Sequence, residues 1–398
     1  MAEPDAWRTM DRLAPHDHRW PAAGVWPAPR QALRFRLRRW SWLLAPITVG
    51  VVSRAYASGL VQLASLTDPA YPPQLVPAAS PFVQWDGQWY LSIAERGYHA
   101  AALQGGGLVG RHDFAFFPLW PVTIDLASLG LLPLATVAFV AANLLFVLAA
   151  IVVWRLLADV YGPEVATGGL ALMAFSPAAY AFSLGYSESL FLLIAAVGLA
   201  AGRAPGRRLL TTGLAMLTRI AGVGLIVASV VRALQAQGEE GRAERRVALA
   251  AAAVGIIAFG AWWTYIAFLT GDPMGFMRGA PDWSRSSGLA ALGKALADPR
   301  PQQIADLAVP AVVLIGALLA WRRNAELGSY ALTVALLGTL PGGGISSMPR
   351  YVLVAFPAYA GLAERLGRNG TLILLFLCAV AEWYFIGWSF TGFLAMPP

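Results

Sequence analysis

The apolar run LATVAFVAANLLFVLAAIVVW, residues 134–154, sets the class of this protein because it carries no charged side chain. A helix needs about 20 such residues to cross the hydrocarbon of a bilayer. Further long apolar runs lie at 41–63, 209–234, 247–269 and 371–394. The 398-residue chain is 58% hydrophobic and only 13% charged, unlike a soluble domain. We therefore predict an all-α integral membrane protein, a multispanning helical bundle with about ten spans.

The arginines predict the topology. The net charge of +7 comes from small arginine clusters between the apolar runs, a pattern that orients spans and does not indicate nucleic acid binding. It predicts a cytoplasmic polar, basic tail at 1–40 and a single transmembrane domain at 41–398. Residues 64–133 become a long first extracytoplasmic loop with interfacial helices, and 270–303 a second one. The lone cysteine, Cys378, leaves no thiolate metal site, and we predict no metal or cofactor.

One apolar run cannot be a simple span. Residues 209–234 have predicted cytoplasmic arginines at both ends, so the chain must turn back between them. Thr218–Gly222 is the predicted turning point, and broken helices at membrane depth are tolerated where they line a protein-walled cavity. Residues 165–183 and 352–363 are predicted to be ordinary spans.

The stretch FVQWDGQWYLSIAERGY, residues 82–98, follows the first span and gathers acidic, aromatic and turn-forming residues. Asp86 precedes Gly87, and it either caps a helix that begins there or places a reactive carboxylate in a cleft. The aromatic residues of this stretch either stack on sugars or form an interfacial belt; they are Trp85, Trp89 and Tyr90.

Few ionisable residues stay at membrane depth or at the external mouth in this topology, and all of them fall on the extracytoplasmic side. A charge left in the hydrocarbon costs roughly 2.5 to 3.5 kcal/mol, so such groups face a wet cavity or each other. We predict a cleft that opens to that side. Its candidate residues are Asp86, Glu95, Arg111, His112, Asp113, Asp125, Glu188, Arg219 and Arg350.

Two arginines are candidates for anion binding. Arg219 lies at the predicted break, where a guanidinium with paired donors could hold a phosphate; alternatively it reaches the interface or pairs with Glu188. Arg350 follows a glycine-rich turn and precedes Tyr351 at a predicted helix start, so it is either a second anion site or an interfacial residue. Glu188 is either a second acid or base or a helix-capping residue.

His112 and Asp113 are adjacent and could form a metal pair. No clear third ligand accompanies them in the sequence, and a hydrated loop pair is the alternative. Both are kept as residues that could contact the substrate.

Five short motifs, in order along the chain, resemble the PIG-V-like mannosyltransferases. This family contains prokaryotic relatives of GPI mannosyltransferase II within the GT-C superfamily, and the resemblance covers roughly residues 41–365. The motifs are Trp85-Asp86-Gly87-x-Trp89-Tyr90, Phe116-Phe117-Pro118-Leu119-x-Pro121, Tyr186-Ser187-Glu188-Ser189-Leu190-Phe191, Leu217-Thr218-Arg219-x-x-Gly222 and Arg350-Tyr351.

The resemblance implies a GT-C-type enzyme of the cell membrane. Such an enzyme takes a hexose from a polyprenyl-phosphate donor and transfers it, with inversion, to a hydroxyl of a glycan, lipid or protein acceptor on the outer face. Asp86 matches the general base, although Asp113 stays open as an alternative. Arg219 and Arg350, followed by Tyr351, match the positions that hold the lipid phosphate.

Two other classes of function are compatible with this sequence. A transporter or flippase of lipid-linked sugars would need polar residues through the whole membrane thickness, whereas the predicted cytoplasmic halves of the helices are almost wholly apolar. A non-catalytic scaffold of an envelope-glycan complex would need no reactive carboxylate.

Overall fold

Helices make up all the regular structure in the part of the chain that the structure describes. The computed structural model describes residues 41–67, 80–98, 113–202, 204–276, 293, 297, 301–339 and 345–390. The described helices are α1 Leu44–Thr67, α2 Asp86–Arg96, α3 Leu119–Ser128, α4 Leu134–Tyr161, α5 Pro163–Ala174, α6 Glu188–Leu199, α7 Pro205–Met216, α8 Val223–Gln235, α9 Gly238–Thr270, α10 Pro301–Arg323, α11 Ala325–Thr339, α12 Met348–Tyr351 and α13 Phe356–Phe390. The predicted all-α fold class is confirmed.

Five described helices are long and apolar enough to cross a membrane: α1, α4, α9, α10 and α13. The most apolar of the five is α4, whose 28 residues extend about 42 Å at 1.5 Å per residue, more than a bilayer core of about 30 Å. The chain is thus a multi-pass membrane protein, as predicted. The count of about ten spans is not confirmed, because the remaining helices are shorter, and it stays a prediction.

The helix α3 is too short to cross a bilayer. Its 10 residues extend about 15 Å, half the hydrocarbon thickness. Leu126, Leu129 and Leu131 at its end are exposed, which suits a helix that rests at the lipid interface. The length of α3 agrees with an interfacial helix within the first loop.

The predicted break in the run 209–234 is confirmed. Helix α7 ends at Met216 and α8 begins at Val223, and Arg219 between them has extended backbone with φ −161° and ψ 152°. Gly222 allows this turn to close tightly, because a Cβ there would lie 2.8 Å from the carbonyl carbon of Ala215. The two half-helices therefore present Arg219 at the tip of a hairpin.

Two predicted spans are not continuous helices, and the prediction of ordinary spans there was wrong. Helix α5 ends at Ala174, and residues 175–187 form an irregular segment with one 3-10 turn. Residues 352–355 are also irregular, and α13 continues from Phe356 through a kink at Gly367, where φ is +64°. Apolar composition does not reveal such interruptions, because the freed backbone groups find their partners elsewhere in the protein.

Small residues let the helices pack closely. Helix α5 lies against α13 where a Cβ on Gly169 would come 2.8 Å from Ala360 Cα. Helix α10 lies against the same part of α13, and a Cβ on Gly316 would come 2.4 Å from the carbonyl oxygen of Ala358. Close approach of backbones at small residues is the usual way in which membrane helices associate.

Residues 45–398 form one compact unit, and residues 1–44 form another, of which only the last four are described. The predicted cytoplasmic tail at 1–40 and most of the predicted second external loop at 270–303 lie outside the described residues. Both therefore stay predictions, as does the topology of the chain relative to the two faces of the membrane.

Candidate active site

Asp86 is the first residue of α2 and follows a strained backbone turn. Trp85 has φ +48° and ψ −113°, a region that non-glycine residues rarely adopt. The Trp85 ring packs edge-on against Phe390, with centroids 4.7 Å apart, which helps to hold this conformation. No side chain caps α2, so the interpretation of Asp86 as a capping residue was wrong. The carboxylate is available for other contacts.

The irregular segment before α6 is tied directly to the first loop. Gly185 donates its backbone N–H to the carbonyl of Phe82 at 2.7 Å, and its own carbonyl accepts from the indole of Trp120 at 2.8 Å. A Cβ on Gly185 would lie 2.8 Å from the side chain of Val83, so glycine is needed for this approach. The contact places the following residues, Tyr186 to Glu188, beside α2.

Arg219 reaches the same place from the α7–α8 hairpin. The backbone N–H of Leu119, at the start of α3, donates to the carbonyl of Leu217 at 3.0 Å, which fixes the hairpin to the first loop. Arg219 Nη1 lies 2.6 Å from Glu188 Oε1 and donates to Ser187 Oγ at 3.1 Å. The pairing of Arg219 with Glu188, one of the alternatives in the sequence, is what the structure shows.

Arg350 completes the cluster from the short helix α12. Its Nη1 lies 2.6 Å from Asp86 Oδ2, and its Nε lies 3.7 Å from Glu188 Oε1. The structure thus brings together four of the predicted residues from four separate parts of the chain. We call Asp86, Glu188, Arg219 and Arg350 the site cluster.

Burial distinguishes the two carboxylates of the site cluster. The Glu188 side chain is 1% exposed, whereas the Asp86 side chain is 24% exposed. Neither oxygen of Glu188 receives a well-aligned hydrogen bond from a described residue, in spite of its short ion pair with Arg219. Glu188 therefore holds both arginines from the buried part of the site cluster. Asp86 keeps an open edge, because part of its carboxylate stays accessible to an incoming molecule.

The two arginines remain charged in this environment. Burial lowers the pKa of Arg350, but the charges of Asp86 and Glu188 outweigh it and raise the pKa well above its usual value. Burial also lowers the pKa of Arg219, and Glu188 followed by Tyr90 raises it again, so the net shift is upward. Guanidinium groups of this kind can bind carboxylates or phosphates through charge-assisted hydrogen bonds, and here both contact carboxylates of the site cluster.

Aromatic rings surround the guanidinium groups. Arg350 lies over the rings of Tyr186 and Tyr351, at 4.9 and 5.1 Å from their centroids, and Arg219 lies 5.8 Å from that of Tyr351. The hydroxyl of Tyr90 shares a hydrogen bond of 3.1 Å with Ser187. Burial, the largest influence, raises the pKa of both Tyr90 and Tyr186.

The other predicted substrate residues lie around the site cluster or outside the described chain. Trp89 is buried and stacks on Phe116, with ring planes 10° apart, which favours a packing role over sugar stacking. Asp113 is 1% exposed in a 3-10 turn, and His112 lies outside the described residues. In the part of the chain that the structure describes, no group of three or more potential metal ligands occurs.

The sequence analysis missed two other sets of buried charges. Arg54 in α1 and Glu382 in α13 lie inside spanning helices, and each was visible as a single charge in an otherwise apolar run. A second set consists of Arg208, Arg232, Glu244 and Glu326, which we call the four-helix cluster because each residue comes from a different helix. These buried and half-buried charges correct the expectation that the few ionisable residues at membrane depth all belong to one cleft.

Comparison with known proteins addresses the family. Residues 58–237, which include three of the four site-cluster residues but not Arg350, match the family described as Mannosyltransferase (PIG-V). No curated protein matches the chain.

Solved structures address the fold. ArnT from Cupriavidus metallidurans, solved with bound undecaprenyl phosphate, is 15% identical with a TM-score of 0.53, over 86% of this chain and 63% of ArnT. The oligosaccharyltransferase of Archaeoglobus fulgidus, solved with Zn and sulfate, is 14% identical with a TM-score of 0.48, over 88% of this chain and 54% of its own. This chain thus spans less than two thirds of either relative. The predicted resemblance to the PIG-V-like mannosyltransferases is confirmed over residues 58–237, and the similarity to ArnT agrees with the predicted multispanning helical fold.

Proposed function

We propose that this protein is a membrane glycosyltransferase that takes a hexose, in the first instance mannose, from a polyprenyl-phosphate sugar. It transfers the hexose to an acceptor hydroxyl on the extracytoplasmic face. The match of residues 58–237 to the PIG-V mannosyltransferases supports the reaction class. ArnT, whose fold is similar, was solved with undecaprenyl phosphate, which supports a lipid phosphate as the donor's leaving group.

The observation that carries this proposal is the site cluster, in which Arg350 lies 2.6 Å from Asp86 and Arg219 lies 2.6 Å from Glu188. Asp86 takes the proton of the acceptor hydroxyl while the hydroxyl oxygen attacks the anomeric carbon. The bond from that carbon to the phosphate oxygen breaks, and the phosphate leaves with the electron pair. A single displacement of this kind inverts the anomeric centre.

The arginines stabilise the leaving phosphate. Its negative charge grows as the glycosidic bond breaks, and donors already in place are worth more in the transition state than in the ground state. Glu188 keeps Arg219 and Arg350 in place before the donor arrives, because both guanidinium groups contact its Oε1. The rings of Tyr186 and Tyr351 support Arg350 from its faces.

Donor binding would also release the base. Arg350 holds Asp86 Oδ2, an oxygen that the acceptor hydroxyl needs. A phosphate competes for Arg350 through charge-assisted hydrogen bonds, and Glu188 remains 3.7 Å from Arg350 Nε to hold its stem. Asp86 thus becomes available only when a donor is present, which would limit unproductive encounters with the acceptor.

Asp86 is the better candidate for the base than Asp113. The Asp86 side chain is 24% exposed and contacts a site arginine, whereas Asp113 is 1% exposed in a 3-10 turn. A base must reach the proton that it removes, and exposure on the open edge of the cluster gives that access.

The test is a transfer assay on membranes that contain the full chain, with radiolabelled polyprenyl-phosphate mannose as donor. We expect transfer to membrane lipid or protein, and a loss of about 10²- to 10⁴-fold in Asp86→Asn, the usual contribution of a general base. Asp125→Asn is the matched control, because Asp125 is an exposed aspartate of α3 in the same loop.

Each other outcome has a definite meaning. Normal transfer by Asp86→Asn would move the base to Asp113 or Glu188. Movement of the labelled donor across the bilayer without transfer would favour a flippase, and neither movement nor transfer would favour a scaffold.

A further inference from the structure

A buried arginine inside the first spanning helix holds the irregular segment that leads to the site cluster. Arg54 of α1 is 4% exposed. Its Nη1 donates to the carbonyl of Ala179 at 2.7 Å and to Ser183 Oγ at 3.0 Å, and its Nη2 donates to the carbonyl of Ala174 at 2.8 Å. The guanidinium also lies 4.4 Å from the ring centroid of Phe146 in α4.

Three acceptors of Arg54 belong to the end of α5 and to the segment 175–187, and a fourth, Ser53 Oγ in α1, accepts from Nε at 3.4 Å. Ala174 is the last residue of α5, where carbonyl groups lack helical partners, and Ala179 begins a 3-10 turn. Such carbonyls need partners inside a membrane protein, since no water reaches them. Ser183 in turn donates to Asn143 Oδ1, which extends the contact to α4.

The held segment ends in the site cluster. Gly185, two residues after Ser183, makes the backbone contacts that join this segment to the first loop. Ser187 and Glu188 follow, and both contact Arg219. A displacement of Ser183 would therefore also move Ser187, four residues later in the irregular chain, and Glu188, and so disturb their contacts with the Arg219 guanidinium.

A buried carboxylate balances the charge of Arg54. Glu382 of α13 is 0% exposed, and neither of its oxygens has a hydrogen-bond partner among the described residues. Its charge acts on Arg54 from beyond ion-pair distance. Tyr56, two residues after Arg54 in α1, donates to the carbonyl of Ala379 in α13 at 2.8 Å. Arg54 and Glu382 are thus two buried opposite charges that interact without a direct contact, and Glu382 makes no hydrogen bond to the described part of the segment 175–187.

We infer that Arg54 is a positioning residue, which sets the segment 175–187 so that Ser187 and Glu188 hold Arg219 at the donor phosphate. The inference rests on the proposed glycosyl transfer. Arg54 then has two roles. Its charge interaction with Glu382 stabilises the fold, and its hydrogen bonds to the segment 175–187 set the geometry of the site. Lysine would keep the charge but not the fork of donors that reaches three acceptors.

The experiment compares Arg54→Lys, Arg54→Met, Glu382→Gln and the double variant Arg54→Met/Glu382→Gln in the purified full chain. The readouts are the thermal unfolding midpoint, the affinity for undecaprenyl phosphate and the rate of transfer. We expect about a tenfold loss of affinity and about a 100-fold loss of transfer in Arg54→Met, since a misplacement of about 1 Å has effects of that size. Arg54→Lys should unfold like the wild type and still lose about tenfold in transfer.

The double variant separates positioning from simple stability. Removal of both charges should restore the unfolding midpoint but neither the affinity nor the rate. Glu382→Gln alone and Tyr56→Phe, a matched loss of one contact between α1 and α13, should transfer at the wild-type rate. Recovery of affinity together with the midpoint, or wild-type affinity in Arg54→Met, would overturn the inference.

A structure of the double variant tests the positioning role of Arg54 separately from the proposed glycosyl transfer. Absence of both binding and transfer in the wild-type protein would defeat the proposed function. The positioning role would then be decided by the contact of 3.1 Å between Arg219 and Ser187. Loss of that contact in the double variant supports the role, and an unchanged contact overturns it.

Discussion

The site cluster and the four-helix cluster contain the same kinds of groups in different settings. Each has two arginines and two carboxylates. In the four-helix cluster Glu244 contacts both Arg208 and Arg232, and Arg232 also contacts Glu326. These four residues lie within regular helices, α7, α8, α9 and α11, whereas the site cluster is built from helix starts and the irregular segments beside them.

The two clusters lie at opposite ends of the same hairpin. Arg219 is at the tip between α7 and α8, and Arg208 and Arg232 are near its base, about 15 to 20 Å away along the helix axes. Burial alone does not separate the clusters, because Arg208 is as buried as Arg350. Irregular backbone, aromatic rings over the cations and one carboxylate with an open edge mark the site cluster, whereas ion pairs between regular helices mark a structural clamp.

The largest expected effect falls on stability in the four-helix cluster. Glu244→Gln leaves the buried Arg208 without a carboxylate partner, and loss of one member of a buried pair costs about 3 to 5 kcal/mol. The unfolding midpoint in detergent should fall clearly, while transfer per folded molecule should stay the same. Glu239→Gln is the control on the same helix, because Glu239 is 95% exposed and pairs only with Arg242. Equal midpoints for the two variants would contradict the clamp.

The next effect falls on catalysis in the site cluster. Arg350→Gln removes a cation that contacts Asp86 and Glu188, and we expect transfer to fall about 100-fold, as when one transition-state donor is lost. Arg232→Gln is the same change in the other cluster and should leave the transfer rate intact. A similar loss of activity in the two variants would show that the site cluster and the four-helix cluster do not differ in their importance for transfer.

A hydrogen bond inside the site cluster should have a smaller effect. Ser187→Ala removes the contact of Ser187 to Arg219 and to Tyr90, and the affinity for undecaprenyl phosphate should fall about tenfold, since a hydrogen bond to a charged group is worth about 1.5 kcal/mol or more. Ser189→Ala is the control, because its hydroxyl donates only to the carbonyl of Phe182. Unchanged affinity in Ser187→Ala would show that Arg219 needs no support from Ser187.

The sequence predicted the parts of this site that depend on local composition. The break at Thr218–Gly222 follows from arginines at both ends of one apolar run, and the structure has it where predicted. The motif around Asp86 also follows irregular chain before a helix, whereas the glycine-rich stretch 341–344 lies outside the described residues. Local signals of this kind predict the structure correctly because they mark places where the backbone cannot continue a helix.

The sequence did not predict contacts that depend on helix packing. The ion pair of Asp86 with Arg350 joins distant parts of the chain, and its register is set by how α2 and α12 pack. The end of α5 at Ala174 was equally invisible, because the partner of its carbonyl is Arg54, from another helix. A single charge in an apolar run signals that a partner exists, but not which one.

The smallest expected effect separates the ring of Tyr351 from its hydroxyl. The ring lies 5.1 Å from the Arg350 guanidinium and 5.8 Å from that of Arg219, so it faces both cations of the site cluster, and the four-helix cluster has no such ring among the described contacts. Tyr351→Phe keeps the ring and should change donor affinity less than about twofold. Tyr351→Leu removes a cation–π contact worth about 0.5 to 1 kcal/mol, so affinity should fall about two- to fivefold. Titration with undecaprenyl phosphate measures both. An equal loss of affinity in Tyr351→Phe and Tyr351→Leu would mean that the hydroxyl, and not the ring, contributes to donor binding.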